Sequence, residues 1–101
     1  MRSEFMFSQG HCSIILTNGY RISMTNYETA HCRYDVNKSD KYRSFSNTVE
    51  LMVFDPIGQD ITKVLYPDAS PDKDNLDADD IAGVINRVIT YRGPFRPEDL
   101  L

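Results

Sequence analysis

The sequence predicts an α+β domain in which a four-stranded antiparallel sheet, built from two hairpins, carries one C-terminal helix packed on one face. Three observations predict it. Ile81, Val84, Ile85, Val88 and Ile89 recur at i, i+3, i+4, i+7 and i+8, an apolar stripe at helical period. Asn18-Gly19 separates two runs of strand-forming residues, a strong short-range hairpin signal. Residues 48–54, TVELMVF, are rich in β-branched and aromatic side chains, and a proline-containing turn follows them.

The helix has both of its ends marked. Asp77 can cap the first turn, Asp79 and Asp80 suit the positive end of the helix dipole, and Leu76 can pack back on Ile81. Arg87 and Arg92 lie toward the negative end, and Gly93-Pro94 supplies a stop. Burying the five stripe residues contributes roughly 1.5–3 kcal/mol each, which outweighs the ~1 kcal/mol that Gly83 costs in mid-helix.

A two-residue Asn18-Gly19 turn sets Leu16 opposite Arg21, Ile15 opposite Ile22 and Ser13 opposite Met24. Alternation then puts Tyr20, Ile22, Met24 and Ile15 on the helix side, and Ile14, Leu16, Arg21 and Ser23 on the other. Residues 26–47 lack periodicity and read as a long loop, the kind of segment that is often functional. In 48–54, Val49, Leu51 and Val53 point one way and Thr48, Glu50, Met52 and Phe54 the other. Asp55-Pro56-Ile57-Gly58 is a type I turn signature, and residues 61–66 are expected to return as the fourth strand. Residues 1–5, with Arg-Ser-Glu-Phe after Met1, read as a cloning scar. The domain is expected over 6–93, with a tail at 94–101.

Composition narrows the classes of function. A chain of 101 residues has room for one domain, and 41% hydrophobic with 26% charged residues is ordinary for a globular protein. No apolar run approaches the ~20 residues of a membrane span, so the expectation is a cytoplasmic protein that does not engage a membrane. Residues 1–50 carry six Lys/Arg against five Asp/Glu, and residues 51–101 five against ten. A basic footprint is absent, which argues against direct nucleic-acid binding.

Two His-Cys pairs, His11-Cys12 and His31-Cys32, bring zinc to mind, but adjacent strand residues point to opposite faces and neither pair has the spacing of a structural zinc site. The run from Asp72 to Asp77 lacks the glycine and the bidentate glutamate of an EF-hand loop. No metal and no cofactor are therefore expected. Nor does a nucleophile elbow or a phosphate-cradling glycine loop frame any nucleophile, so the chain reads as a non-enzyme. The binding residues expected are Arg21, Ser23, Glu50, Met52 and Phe54 on the far sheet face, with Tyr27, His31, Arg33 and Tyr34 at its rim.

The succession of an Asn-Gly-Tyr hairpin with a following Ser, a His-Cys pair, a Thr-x-Glu strand ending in an aromatic, and a C-terminal helix resembles a family of small phage and prophage accessory proteins. The residues that carry the resemblance are Asn18, Gly19, Tyr20, Ile22, Ser23, Cys32, Thr48, Glu50 and Phe54. It implies a protein acting on a host component, with counter-defence as its role. The resulting expectation is a small non-catalytic binding protein in the host cytoplasm that inhibits a host defence protein or sequesters a small signalling ligand. Self-association through the far sheet face is expected as well. The alternatives are a ligand-handling enzyme using His31 or Cys32 in the 26–47 loop, and an acidic nucleic-acid mimic using residues 68–80.

Overall fold

A computed structural model of the chain describes residues 2–69 and 72–92. Five strands form one antiparallel sheet in chain order: β1 (Glu4–Ser8), β2 (His11–Ile15), β3 (Arg21–Thr25), β4 (Val49–Phe54) and β5 (Lys73–Leu76). A single helical turn, α1 (Thr62–Leu65), follows β4, and the 12-residue helix α2 (Ala78–Ile89) follows β5. The α+β class, the antiparallel sheet and the C-terminal helix agree with the sequence reading. The strand count is five instead of four, and three local causes account for the difference.

The first is β1, whose Glu4 and Phe5 fall in the stretch read as a scar. They pair with Ile15 and Ile14 of β2. The second is the expected fourth strand at 61–66, which is α1 instead. The Asp60 carboxylate accepts both the Thr62 N–H (2.9 Å) and the Thr62 hydroxyl (2.6 Å), which turns the chain into a helical bend. Thr62 is fully buried, and its Oγ1 accepts the Val53 N–H at 2.8 Å where a strand partner would have stood. The third is β5, which lies in the Asp-rich connection and pairs with β4 through Val49↔Leu76 and Leu51↔Lys73.

The hairpin register also differs from the expected one. Ile15 pairs with Arg21, Ile14 with Ile22, Ser13 with Ser23 and Cys12 with Met24. The turn has three residues: Leu16 N–H donates to Tyr20 O and Gly19 N–H to Leu16 O, both at 2.9 Å. Gly19, at φ +89°, takes the left-handed position, while Asn18 is not left-handed. The turn after β4 repeats this pattern with Asp55, Gly58 and Gln59. A one-residue slip exchanges the two faces of β2, so Ile14 and Leu16 turn to the core and Ile15 to the open side. Burial explains the choice. This register lets Ile14 and Leu16 join Tyr20 and Ile22 beneath the helix, where the two-residue turn offered only Ile15.

Leu51, Val53 and Val88 are fully buried, and Leu76, Leu65 and Val84 complete the same cluster between sheet and helices. Tyr20 meets Tyr91 edge to face, with ring centroids 5.8 Å apart. Asp77 caps α2 as expected, through a reciprocal box in which Asp80 N–H donates to Asp77 Oδ1 (2.9 Å) and Asp77 N–H to Asp80 Oδ2 (3.0 Å). At the other end α2 stops at Ile89, with Thr90 as its cap. Gly93, Pro94 and the tail at 94–101 lie outside the described residues. Ile89 is exposed, so the buried stripe ends at Val88. No helix among the described residues is long and apolar enough to cross a membrane.

Candidate functional site

Both helices lie on one side of the sheet, and the other side carries three rungs across its central strands. They are Ile15–Arg21–Phe54, Ser13–Ser23–Met52 and His11–Thr25–Glu50. The period-2 alternation of β3 and β4 thus brings Arg21, Ser23, Glu50, Met52 and Phe54 onto one face, the placement expected from the sequence. Of the four apolar residues expected there, Met52 and Phe54 are present. Ile14 and Leu16 are not, for the register reason above, and Ile15 takes their place.

The Arg21 guanidinium lies over the Phe54 ring, 4.6 Å from its centroid. Its Nε is buried with no hydrogen-bond partner among the described residues. Beside it, Ile15, Arg21, Phe54 and Pro56 line a shallow depression of about 240 Å³. From the third rung His11 reaches back to the middle one, its Nε2 standing 2.7 Å from Ser23 Oγ and 3.4 Å from the buried Ser13 Oγ. No local pattern marks this histidine–serine contact, because it depends on the register.

Toward the loop the face turns acidic. Glu50 Oε1 accepts the Thr25 hydroxyl (3.1 Å) and Oε2 accepts the His31 N–H (2.9 Å). His31 Nδ1 is 3.2 Å from Asp72 Oδ1, 3.3 Å from Asp74 Oδ1 and 3.6 Å from Glu50 Oε2. Three segments build this cluster. Alternation at the start of β5 turns Asp72 and Asp74 toward Glu50 while Lys73, between them, goes to the other side and pairs with Asp68. The loop is pinned where it delivers His31: Asn75 N–H donates to His31 O (3.1 Å) and Arg33 N–H to Thr48 Oγ1 (2.8 Å). Asp72 is nine-tenths buried. That burial, then the neighbouring Asp74 and Glu50 carboxylates, push its carboxyl up to about 6 against the pull of His31. His31 is raised in turn, by its hydrogen bond to Asp72 and by the charges of Asp72 and Asp74.

Asp72 and Asp74 are the members that sequence reasoning missed. An Asp-Lys-Asp alternation was available as a signal, but it acquires meaning only once that segment is a strand.

The remaining rim residues do not converge with them. Tyr27 is exposed and packs its Cβ close to Gly10, Arg33 is exposed, and Tyr34 is half-buried in a bridge to Ser46. Among the described residues, no hydrogen bond or ring contact joins these three to Arg21 or Phe54. The two histidine–cysteine pairs do not converge either, since His11 engages serines and His31 engages carboxylates. Cys12 and Cys32 are free thiols. Burial raises the pKa of both, and the Glu50 charge adds to the shift at Cys32.

Comparison of this chain with protein-family models, with curated proteins and with solved structures finds no match.

Proposed function

We propose that this chain is a small non-catalytic binding protein of phage type, which inhibits a host protein by docking the open face of its sheet on it. The observation that carries the reading is Arg21. An arginine stacked on Phe54 with its Nε desolvated and without a hydrogen-bond partner among the described residues costs stability, on the order of 1–3 kcal/mol. Arginine and aromatic side chains held in this way are the anchors that dominate protein interfaces. The depression beside them, at about 240 Å³, is smaller than the ~300–1,000 Å³ of pockets that enclose small ligands, so this pair of side chains suits a protein surface better than an enclosed small molecule.

Two further observations weigh against the alternatives. An enzyme using Cys32 needs a thiolate, and its surroundings push that thiol the other way. A nucleic-acid mimic arrays unpaired carboxylates in the open, whereas Asp68 is paired with Lys73 and Asp72 is buried.

The test is quantitative capture from bacterial extract with immobilised protein, read by mass spectrometry. Arg21→Ala and Phe54→Ala should each abolish retention of a partner that the parent chain and the Asp68→Ala variant retain, with unchanged far-ultraviolet circular dichroism. Loss on removing Asp68, with retention by Arg21→Ala, would select the mimic instead. A dimer by light scattering at high micromolar concentration that dissociates in Phe54→Ala would assign the face to self-association.

A further inference from the structure

We infer that His31, Glu50, Asp72 and Asp74 form a binding site for one borderline divalent cation of the Zn²⁺ or Mn²⁺ kind, at the rim of the open face. Their donor atoms, one imidazole nitrogen and three carboxylate oxygens, all lie within 4.8 Å of one another. The three separations from His31 Nδ1, 3.2, 3.3 and 3.6 Å, are close to the edges of a tetrahedron, ~3.3–3.6 Å, whose metal–ligand bonds are ~2.0–2.2 Å. An ion among them takes the place of the proton on Nδ1 and draws the carboxylate oxygens, which lie within 4.8 Å of one another, closer together.

Charge gives an independent reason. Three carboxylates face a single imidazole, and among the described residues no Lys or Arg forms an ion pair with any of the three. Asp72 is nine-tenths buried, and His31 is the sole hydrogen-bond donor it has among the described residues. A carboxylate withdrawn that far from water either takes up a proton or has a full cation beside it. Here the intervening Lys73, the nearest in sequence, reaches Asp68 on the opposite side.

The surroundings hold the donors in place as ligand supports do. Thr25 Oγ1 fixes one Glu50 oxygen, the His31 N–H fixes the other, and Asn75 N–H holds the His31 carbonyl. Donor chemistry selects the ion. An imidazole in the set disfavours Ca²⁺ and Mg²⁺, which take oxygen ligands, and the Cys32 sulfur, which contacts Tyr27 O, is not among the four donors. Since the donors come from the 26–47 loop, β4, and β5 with the residue that precedes it, a bound ion ties the loop to the sheet beside the docking face.

The experiment uses the full chain stripped with chelator and titrated by calorimetry with ZnCl₂, MnCl₂, CaCl₂ and MgCl₂ in turn. One site per chain is expected for Zn²⁺ or Mn²⁺, at least about 10-fold tighter than for Ca²⁺ or Mg²⁺. His31→Ala and Asp74→Asn, both at exposed positions where folding is not at risk, should each weaken binding about 10–100-fold. Cys12→Ser with Cys32→Ser should leave it unchanged. The inference is overturned by absence of saturable binding up to millimolar metal, by preference for Ca²⁺, by undiminished binding in both variants, or by loss on removing the thiols.

Discussion

Asn18 does more than occupy a turn, and replacing it should reveal how the hairpin is fastened to the helix. Its Oδ1 accepts the Tyr20 N–H at 3.2 Å, and its Nδ2 donates to Val88 O at 3.2 Å and Ile89 O at 3.5 Å, across 70 residues of chain. The amide therefore closes its own turn and adds to the capping of the last turn of α2, where Val88 O also accepts the Tyr91 N–H at 3.2 Å. Asn18→Ala removes all three contacts and leaves the N–H of Tyr20, a residue only 1% exposed, without its acceptor. A net hydrogen bond contributes ~0.5–1.5 kcal/mol and an unsatisfied buried donor costs ~1–3, so with these long contacts the loss should be about 2 kcal/mol. For a domain of this size that corresponds to a fall of roughly 8–16 °C in Tm. Asn18→Asp separates the two halves of the role. It keeps the acceptor for Tyr20, loses the donor, and sets a charge against the negative end of α2, worth a further ~0.3–1 kcal/mol. Part of its deficit relative to the parent chain should vanish on acidification, which Asn18→Ala should not show. Urea unfolding followed by circular dichroism measures both. If Asn18→Ala stays within about 0.3 kcal/mol of the parent, or Asn18→Asp matches it at neutral pH, the cross-tie carries no stability and the reasoning fails.

Three other outcomes are expected. Asp77→Ala should lower stability by on the order of 1 kcal/mol in the same urea assay, since it removes the acceptor for the Asp80 N–H and breaks the capping box. Gly83→Ala should raise it by roughly 0.5–1 kcal/mol, because a Cβ there meets nothing within 4 Å; a lower Tm would show that the exposed side of α2 is constrained. In chelator, the chain should be less stable at about pH 8 than at about pH 5. The folded state raises Asp72 from 3.8 to about 6, so it binds a proton the unfolded chain releases, and that stability is lost as pH rises through 6. His31 acts in the same direction, since its raised pKa contributes stability below its ordinary value that disappears as pH rises through the folded one. Thermal melts across this range check it, and Asp72→Asn should flatten the slope; an unchanged slope would assign the titration elsewhere.

The elements that local chemistry determines were legible in the sequence. The stripe and the Asp77 cap placed α2, because burial period and side-chain capping act within a few residues of one another. Alternation in β4 sorted Val49, Leu51 and Val53 to the core and Glu50, Met52 and Phe54 to the open face, since a strand has only two sides. Tertiary structure decided what local rules left degenerate. Asn18-Gly19 is compatible with a two- or a three-residue turn, and burial of Ile14 and Leu16 beneath the helices selected the latter. Residues 61–66 have strand-forming side chains, yet the Asp60 and Thr62 oxygens, bonded to each other and to Val53, made them a helical turn. The carboxylate cluster was the least legible part. His31 lies 41 residues from Asp72 and farther still from Asp74, and only pairing of β5 with β4 brings them and Glu50 within hydrogen-bonding range. No local propensity encodes that meeting, because it exists only once the sheet has closed.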